Sequence, residues 1–464
     1  MIHSLNYRSF SFLVITALAL IITNRAYAFQ NESVKTGEAT RVINHLAKNS
    51  SSHKEPTGRI TRQEVLTAAL LNNPRLQNFD KNIRISEARL LHAKRLPNPE
   101  LDFEIEEFGG RDELSGFNSA ETTLMFEQLL EFGGKRKKRV KLAQLDQKLS
   151  KLNYETVKIS VIKDTSTAFL KVLAAQERLK LMKKNHDLAK NAYDAIFKKV
   201  QAGETSPLDL SKAKILMEKE KISSSHLSRE LDAVKNELAA TWGSNEPLFD
   251  AVEGSFSIPK SLPTIDALER QIKNNPTIAR WPIEINHREM QIDIAKSKAI
   301  PNMKIGAGVR RFNENNNNAA ILNISLPFPI FNRNKGGILE AGHELEKAHL
   351  KQHAVHVRLS KTLKSSYKRM LAAFEEAWSL EKILVPETQH AYDNYQIAYT
   401  EGKVGYLELL DAQRTLFDIL GQKIEAVVTY NMYALKIEAL TGLPLSKVTD
   451  ASSPIQKKGE YNDQ

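Results

Sequence analysis

The strictest alternation of apolar and polar residues in this chain is ELDFEIE, residues 100–106. Successive side chains of a strand point to opposite faces. Leu101, Phe103 and Ile105 therefore share one face, and Glu100, Asp102, Glu104 and Glu106 share the other. Three more segments carry a period of two: 122–127 with Leu124 and Phe126, 303–309 with Met303, Ile305, Ala307 and Val309, and 320–326 with Ala320, Leu322, Ile324 and Leu326. They predict two β-hairpins, about 98–131 and about 302–328, with loops at 108–120 and 310–318. Elsewhere the period is three and four. Leu142, Leu145, Leu149 and Leu152 make one apolar helical seam, and Leu227, Leu231, Val234 and Leu238 another. The spacing predicts helices over about 61–96 and 264–299, each stopped by a proline, Pro97 or Pro301. It predicts very long helices over about 134–201 and 333–400, with Pro386 inside the second, and shorter ones over about 206–242 and 406–441. At 1.5 Å per residue, about 67 helical residues reach about 100 Å. Such a helix belongs to a rod or a tube.

The same order occurs twice. QAGETSPLDLSKA (201–213) is echoed by TEGKVGYLELLDA (400–412), and LNNPRL (71–76) by KNNPTI (273–278). RLPNPELDFEI (95–105) is echoed by AIPNMKIGAGV (299–309), EFGGKRKK (131–138) by IFNRNKGG (330–337), and AATWGSNEP (239–247) by EALTGLPLS (438–446). The offsets of about 199 to 204 are far longer than solenoid periods. The chain reads as two structural halves, 59–247 and 263–446, joined by a linker at 248–262. Polar tails occupy 29–58 and 447–464.

Strands that are apolar on one face and polar on the other suit a transmembrane β-barrel. They also suit a half-buried sheet packed on a helix. The barrel reading carries a consequence. Four strands cannot close a barrel, and an open sheet edge does not occur in lipid. The strands would then be pooled between subunits.

Composition narrows the class. The net charge of +11 comes from Lys and Arg interleaved with acids, as in 212–221, and no basic stripe with aromatics marks a nucleic-acid site. The absence of Cys excludes disulfides, thiolate metal sites and a lipoprotein anchor. Arg8, the apolar run FLVITALALII (12–22) and Ala26-Tyr27-Ala28 have the layout of a signal peptide cleaved after residue 28. No nucleophile with its base and no phosphate loop is visible, so neither catalysis nor a cofactor is expected. His349, His353 and His356 share a helical face, with His343 further back. Imidazoles one turn apart can bind Zn²⁺ or Cu²⁺, although solvated helix residues would look the same.

LPNPELDFEIEEFGG (96–110), FEQLLEFGGKRKKR (126–139) and YTEGKVGYLELLDA (399–412) resemble the TolC family of outer-membrane efflux proteins. The first two are most similar to its heavy-metal, CzcC-like branch, and the resemblance runs from about residue 60 to 446. It implies a mainly α fold with a duplicated half-unit. Long helices would form a periplasmic α-barrel, and four strands per chain would enter a shared 12-stranded barrel in a homotrimer. It implies docking to a periplasmic adaptor and an inner-membrane resistance–nodulation–division (RND) pump. The family's aperture acids match Glu408 and Asp411, with Asp209 as the first-half counterpart. The adaptor-docking tips match Gly203, Glu204, Gly402 and Lys403, and the basic residue that some members carry before the first acid is Val404 here. Glu100, Asp102, Glu104 and Glu106 would line the barrel lumen. The expected role is a passive, gated outer-membrane duct for heavy-metal cations. Rival readings are a same-fold channel for drugs or secreted proteins, and a structural coiled-coil envelope tether.

Overall fold

A computed structural model describes residues 55–448 and the backbone of 451–452. The leader expected at 1–28, and nearly all of both expected tails, lie outside the described residues. In the first half, β1 (Gly58–Thr61) leads into α1 (Arg62–Asn72) and α2 (Pro74–Ala93). The strands β2 (Glu100–Glu106) and β3 (Glu121–Leu130) follow, then α3 (Lys135–Gln201) and α4 (Pro207–Ala240). The joining segment carries β4 (Phe249–Glu253) and β5 (Leu262–Pro263), of which β4 pairs in parallel with β1. The second half repeats the order with α5 (Ile265–Gln271), α6 (Pro276–Ala279) and α7 (Trp281–Lys298). After them come β6 (Met303–Phe312), β7 (Asn317–Ser325), α8 (Lys335–Ser379), α9 (Val385–Thr400) and α10 (Tyr406–Thr441).

Three helical expectations are corrected. The helix expected over 61–96 is broken between α1 and α2, and that over 264–299 is broken at Asn275. Proline is the cause: Pro74 and Pro276 lack the N–H that would continue a helix, and the residue before a proline is pushed out of the α region. Asn73 and Asn275 take that extended position and cap the next helix. The Asn73 side chain accepts from the Leu76 N–H at 3.1 Å and donates to the Thr241 carbonyl at 2.7 Å. Asn275 accepts from the Thr277 N–H and donates to the carbonyls of Ala439 and Leu440. The duplicated Asn-Pro is thus a duplicated clamp, tying a helix start to the end of the helix that closes its own half. The third correction concerns the second long helix, which is interrupted by a π-turn at Leu380–Leu384 just before Pro386. α3, free of Gly and Pro, runs unbroken for 67 residues.

The four longer strands form one antiparallel sheet in the order β2-β3-β6-β7. Register sorts the faces. Leu101, Phe126, Ala307 and Leu322 stand in one row, and Phe103, Leu124, Val309 and Ala320 in another. The opposite face carries the row Glu100, Glu127, Gly306 and Asn323. The apolar side chains of β2, and Leu322 and Ile324 of β7, are exposed. No core lies beneath them. The outer strands β2 and β7 have no second partner among the described residues.

The core sits instead among the helices. Phe169, Val172, Trp242, Phe249 and Val252 pack around β1 and β4. Leu268, Leu363, Met370, Phe374 and Tyr430 form the matching cluster of the second half. α3 packs on α4 and on α10, and α10 packs on α8 and α9. Arg178 of α3 joins the halves, at 2.6 Å from Glu425 of α10 and 4.0 Å from Glu230 of α4. Among the described residues no helix is long and apolar enough to cross a membrane.

Candidate functional site: a polar sheet face and two helical tips

The polar sheet face gathers all four acids predicted on β2 and separates them into two kinds. Glu100 meets Lys304 at 2.6 Å, across the intervening β3, and Glu106 meets Arg310 at 3.2 Å. Glu121 also binds Arg310, and Glu127 lies 3.6 Å from Lys304 and accepts from the Asn323 amide. Asp102 and Glu104 have no ion pair within the described residues. On this face Glu100, Asp102, Glu104, Glu106, Glu121 and Glu127 outnumber Lys304 and Arg310.

Directly below the sheet, the run Lys135 to Arg139 has a structural task. The Lys135 ammonium donates to the Ile300 carbonyl and to Asn302, both at 2.6 Å. Arg136 donates to the Lys94 carbonyl, and Arg139 to those of Ala93 and Arg95. These carbonyls lie at or just beyond the C-terminal ends of α2 and α7, where orphan C=O groups attract cations. Arg139 also grips Glu131 through both oxygens, at 2.6 and 3.1 Å. That fork holds the Glu131 carboxyl below its usual pKa, against the opposing effect of burial.

At the far end, the two tips share one backbone device. Gly203 and Gly402 adopt φ of 75° and 73°. The Glu204 N–H reaches back to the Lys199 carbonyl at 2.8 Å, and that of Lys403 to Ala398 at 2.9 Å. This closure satisfies helix-end carbonyls and needs a left-handed residue, which glycine adopts without a Cβ clash. Beyond the turns, Asp209 and Glu408 occupy the same position in the first turn of α4 and α10. There the halves diverge. One turn on, the first half has Lys212 and the second has Asp411. Asp209 accepts from the Thr205 hydroxyl at 3.3 Å and lies 3.8 Å from Lys212. Glu408 and Asp411 are exposed, with no ion pair within the described residues. The second tip thus opens its helix with two carboxylates that have no ion pair among the described residues, where the first has Asp209 beside Lys212 and its unpaired acid, Glu204, in the turn itself.

The tips also meet each other through contacts that no local pattern announced. The Lys199 ammonium lies 4.9 Å from the centre of the Tyr399 ring, and Tyr399 lies 6.3 Å from Tyr406. Tyr406 joins Ala189, Leu216 and Leu410 in a small core, where its hydroxyl is buried without a partner. Burial pushes the pKa of that hydroxyl up, and Tyr399 adds to the effect. Above it, the buried Gln413 amide donates to Asn185 at 2.9 Å.

His349, His353 and His356 lie exposed on α8, and the structure does not draw them into a ligand set. No group of three or more His, Cys, Asp or Glu among the described residues is placed to hold a metal ion. His356 instead shares its surface with Lys361, Lys364, Lys368 and Arg369, whose charge disfavours a bound cation.

A duplicated set of long paired helices, carrying a four-stranded sheet with an exposed apolar face, defines a TolC-like channel protein. The family described as outer membrane efflux protein matches residues 65–244 and again 267–442, one stretch in each half. The chain belongs to this family. It is similar to the cobalt-zinc-cadmium resistance protein CzcC of Cupriavidus metallidurans, 27% identical over 383 residues that cover 81% of this chain and 90% of that one. It is also similar to the nickel-cobalt-cadmium resistance protein NccC of Alcaligenes xylosoxydans xylosoxydans, 23% identical over 66% of this chain and 70% of that one. Among solved structures, a transmembrane-channel-forming protein, CusC, superposes with a TM-score of 0.68 at 17% identity, covering 84% of this chain and 96% of that one.

Proposed function

We propose that this protein is the outer-membrane exit duct of a tripartite RND efflux system, and that its cargo is heavy-metal cations. One observation carries the reading: a four-stranded sheet, apolar and exposed on one face and acidic on the other, whose two outer strands each have one edge without a partner among the described residues. Lipid would cover the apolar face and water would fill the acidic side. Lipid tolerates no unpaired edge, so three copies would pool their strands into a 12-stranded barrel. The helices would extend it as a tunnel through the periplasm. Residues 59–247 and 263–446 would supply equivalent staves, and the 1–28 leader would direct export and be removed.

In this reading the duct performs no catalysis and needs no cofactor; the pump below supplies the energy. Glu408 and Asp411 would ring the closed mouth of the tunnel, where three copies crowd six carboxylates together. Asp209, held by Thr205 and Lys212, would contribute less charge. The turns at Gly203-Glu204 and Gly402-Lys403 would meet the periplasmic adaptor. The cargo rests on two supports: relatives named for resistance to cobalt, zinc, cadmium and nickel, and the acid excess of the polar face, which favours cation passage.

Planar-bilayer recording tests the duct. We expect a cation-preferring conductance that opens more often, or more widely, in the Glu408→Ala/Asp411→Ala protein. Identical currents in both proteins would remove the gate. A deletion strain with unchanged tolerance of Zn²⁺, Co²⁺, Cd²⁺, Cu⁺ and Ag⁺ would remove the metal cargo and favour drugs or secreted proteins.

A further inference from the structure

The two ends of the sheet carry opposite charge. At its lower end the strands join the helices through four short segments, 93–99, 131–137, 297–302 and 326–337. These carry Lys94, Arg136, Lys137, Lys298, Arg333 and Lys335, none of which has an ion pair within the described residues. Glu131 is the sole acid of the four segments, and Arg139 already holds it. The loops at the upper end, 107–120 and 313–316, carry Glu107, Asp112, Glu113 and Glu314 against Arg111 alone.

The lower end also exposes large apolar side chains. Phe331 is 99% exposed, more than any other large apolar residue described, and Phe328 and Ile330 are 79% and 67% exposed. Leu96, Phe132 and Ile300 in the other three segments are exposed too. Leu326 and Phe328 keep the two-residue step of Leu322 and Ile324, so the apolar row of β7 runs on past its last residue, Ser325. Pro327 and Pro329 fill the alternate positions and have no N–H to take out of water. The Ile330 N–H donates to the Phe328 carbonyl at 2.9 Å. Across 327–330 only the Phe328 N–H lacks a partner among the described residues. A backbone so poor in free donors loses little on entering an apolar layer. Arg333 stays beside the loop, its Nε donating to the Pro329 carbonyl at 3.3 Å.

We propose that this junction binds anionic phospholipid in the leaflet next to the helices. Phe328, Ile330 and Phe331 would enter the acyl layer, and Lys137, Lys298, Arg333 and Lys335 would meet the headgroup phosphates. Two observations select this occupant. The apolar surface is continuous with the sheet face that lipid would cover, and the cations beside it complement a negatively charged headgroup layer. The acidic upper end has no such fit, so the charge would also fix which end of the sheet faces which leaflet. The inference rests on the lipid-facing sheet of the proposed duct and names the lipid that it prefers.

The test uses the full-length protein extracted in a neutral detergent. Its thermal unfolding is followed while phosphatidylglycerol or phosphatidylcholine is added to the micelles. Phosphatidylglycerol is expected to raise the midpoint by several degrees more than phosphatidylcholine, and salt should shrink the difference. The difference should vanish in Lys137→Gln/Lys298→Gln/Arg333→Gln/Lys335→Gln and survive in Lys137→Arg/Lys298→Arg/Arg333→Lys/Lys335→Arg, which keeps every charge. Equal midpoints with the two lipids in the unaltered protein overturn the headgroup site. A second measurement is independent of the charge variants. In phosphatidylglycerol vesicles brominated along the acyl chain, the emission that Phe331→Trp adds should be quenched, and unquenched emission overturns the immersed loop. Planar-bilayer conductance reports on the duct separately. A protein that conducts yet shows equal midpoints loses the headgroup site and keeps the duct. One that shows the lipid difference without conductance keeps the headgroup site and loses the duct.

Discussion

Glycine has opposite meanings at two places in this chain. Gly203 and Gly402 sit at positive φ, and a methyl group added to either would meet nothing within 4 Å, so backbone conformation alone requires them. Gly421 lies inside α10, where an added methyl would also meet nothing within 4 Å and no unusual φ is needed. Gly402→Ala should destabilise the protein by about 1 kcal/mol, the cost of a left-handed alanine. Gly421→Ala should stabilise it by about 1 kcal/mol, the helix propensity difference. Thermal unfolding of the two variants checks both signs. Glu131 supplies a pH dependence. Its folded pKa is held below 4.5 by Arg139, so its contribution is fully present above the unfolded value and fades as pH falls through the folded one. Melting temperature should therefore drop below about pH 4.5, and Arg139→Gln should flatten that drop. An unchanged profile in the variant would show that the pair is not responsible.

At the scale of elements, the half-unit is held by its ends. The Asn-Pro clamps tie α2 to the end of α4 and α6 to the end of α10, and the basic run that opens α3 holds the ends of α2 and α7. Asn73→Ala and Asn275→Ala each remove a cap and release buried carbonyls. Each should cost about 1–2 kcal/mol, read as a shift in the denaturant midpoint, and their effects should add because the sites lie in different halves. The π-turn follows from the same chemistry. Pro386 offers no N–H to the Lys382 carbonyl, so the ladder widens just ahead of it. Glu381 of that turn lies 3.6 Å from Lys423 of α10. A hydrogen bond from Lys382 holds the Glu381 carboxyl below its usual pKa, and Lys423 adds to this.

At the scale of the whole molecule, charge placement bears on transport. Asp102 and Glu104 are the unpaired acids of the polar sheet face, whereas Glu100 and Glu106 already face Lys304 and Arg310. Asp102→Asn/Glu104→Gln should lower the cation preference of the proposed duct, seen as a shift of the reversal potential under a salt gradient. Neutralising Glu100 should leave Lys304 with Glu127 alone and shift it further in the same direction. Equal reversal potentials in all three proteins would mean that this face does not line the conducting path.

The sequence by itself determined the periodicities, the duplication and the faces of each strand, because these depend on residues a few positions apart. Strict alternation in 100–106 and the echoed tip turns were legible for that reason. It also exposed Glu408 and Asp411 as a pair, since three residues make most of a helical turn. Its single helix over 61–96 failed because the spacing of apolar residues outweighed Pro74, a purely local stop. Only the tertiary structure decided which acids are neutralised and which helices stand at the edges. Lys304 reaches Glu100 from 204 residues away, and Tyr399 meets Lys199 from the opposite half. Such pairings are set by the register of whole strands and helices against one another, which no short window of sequence contains.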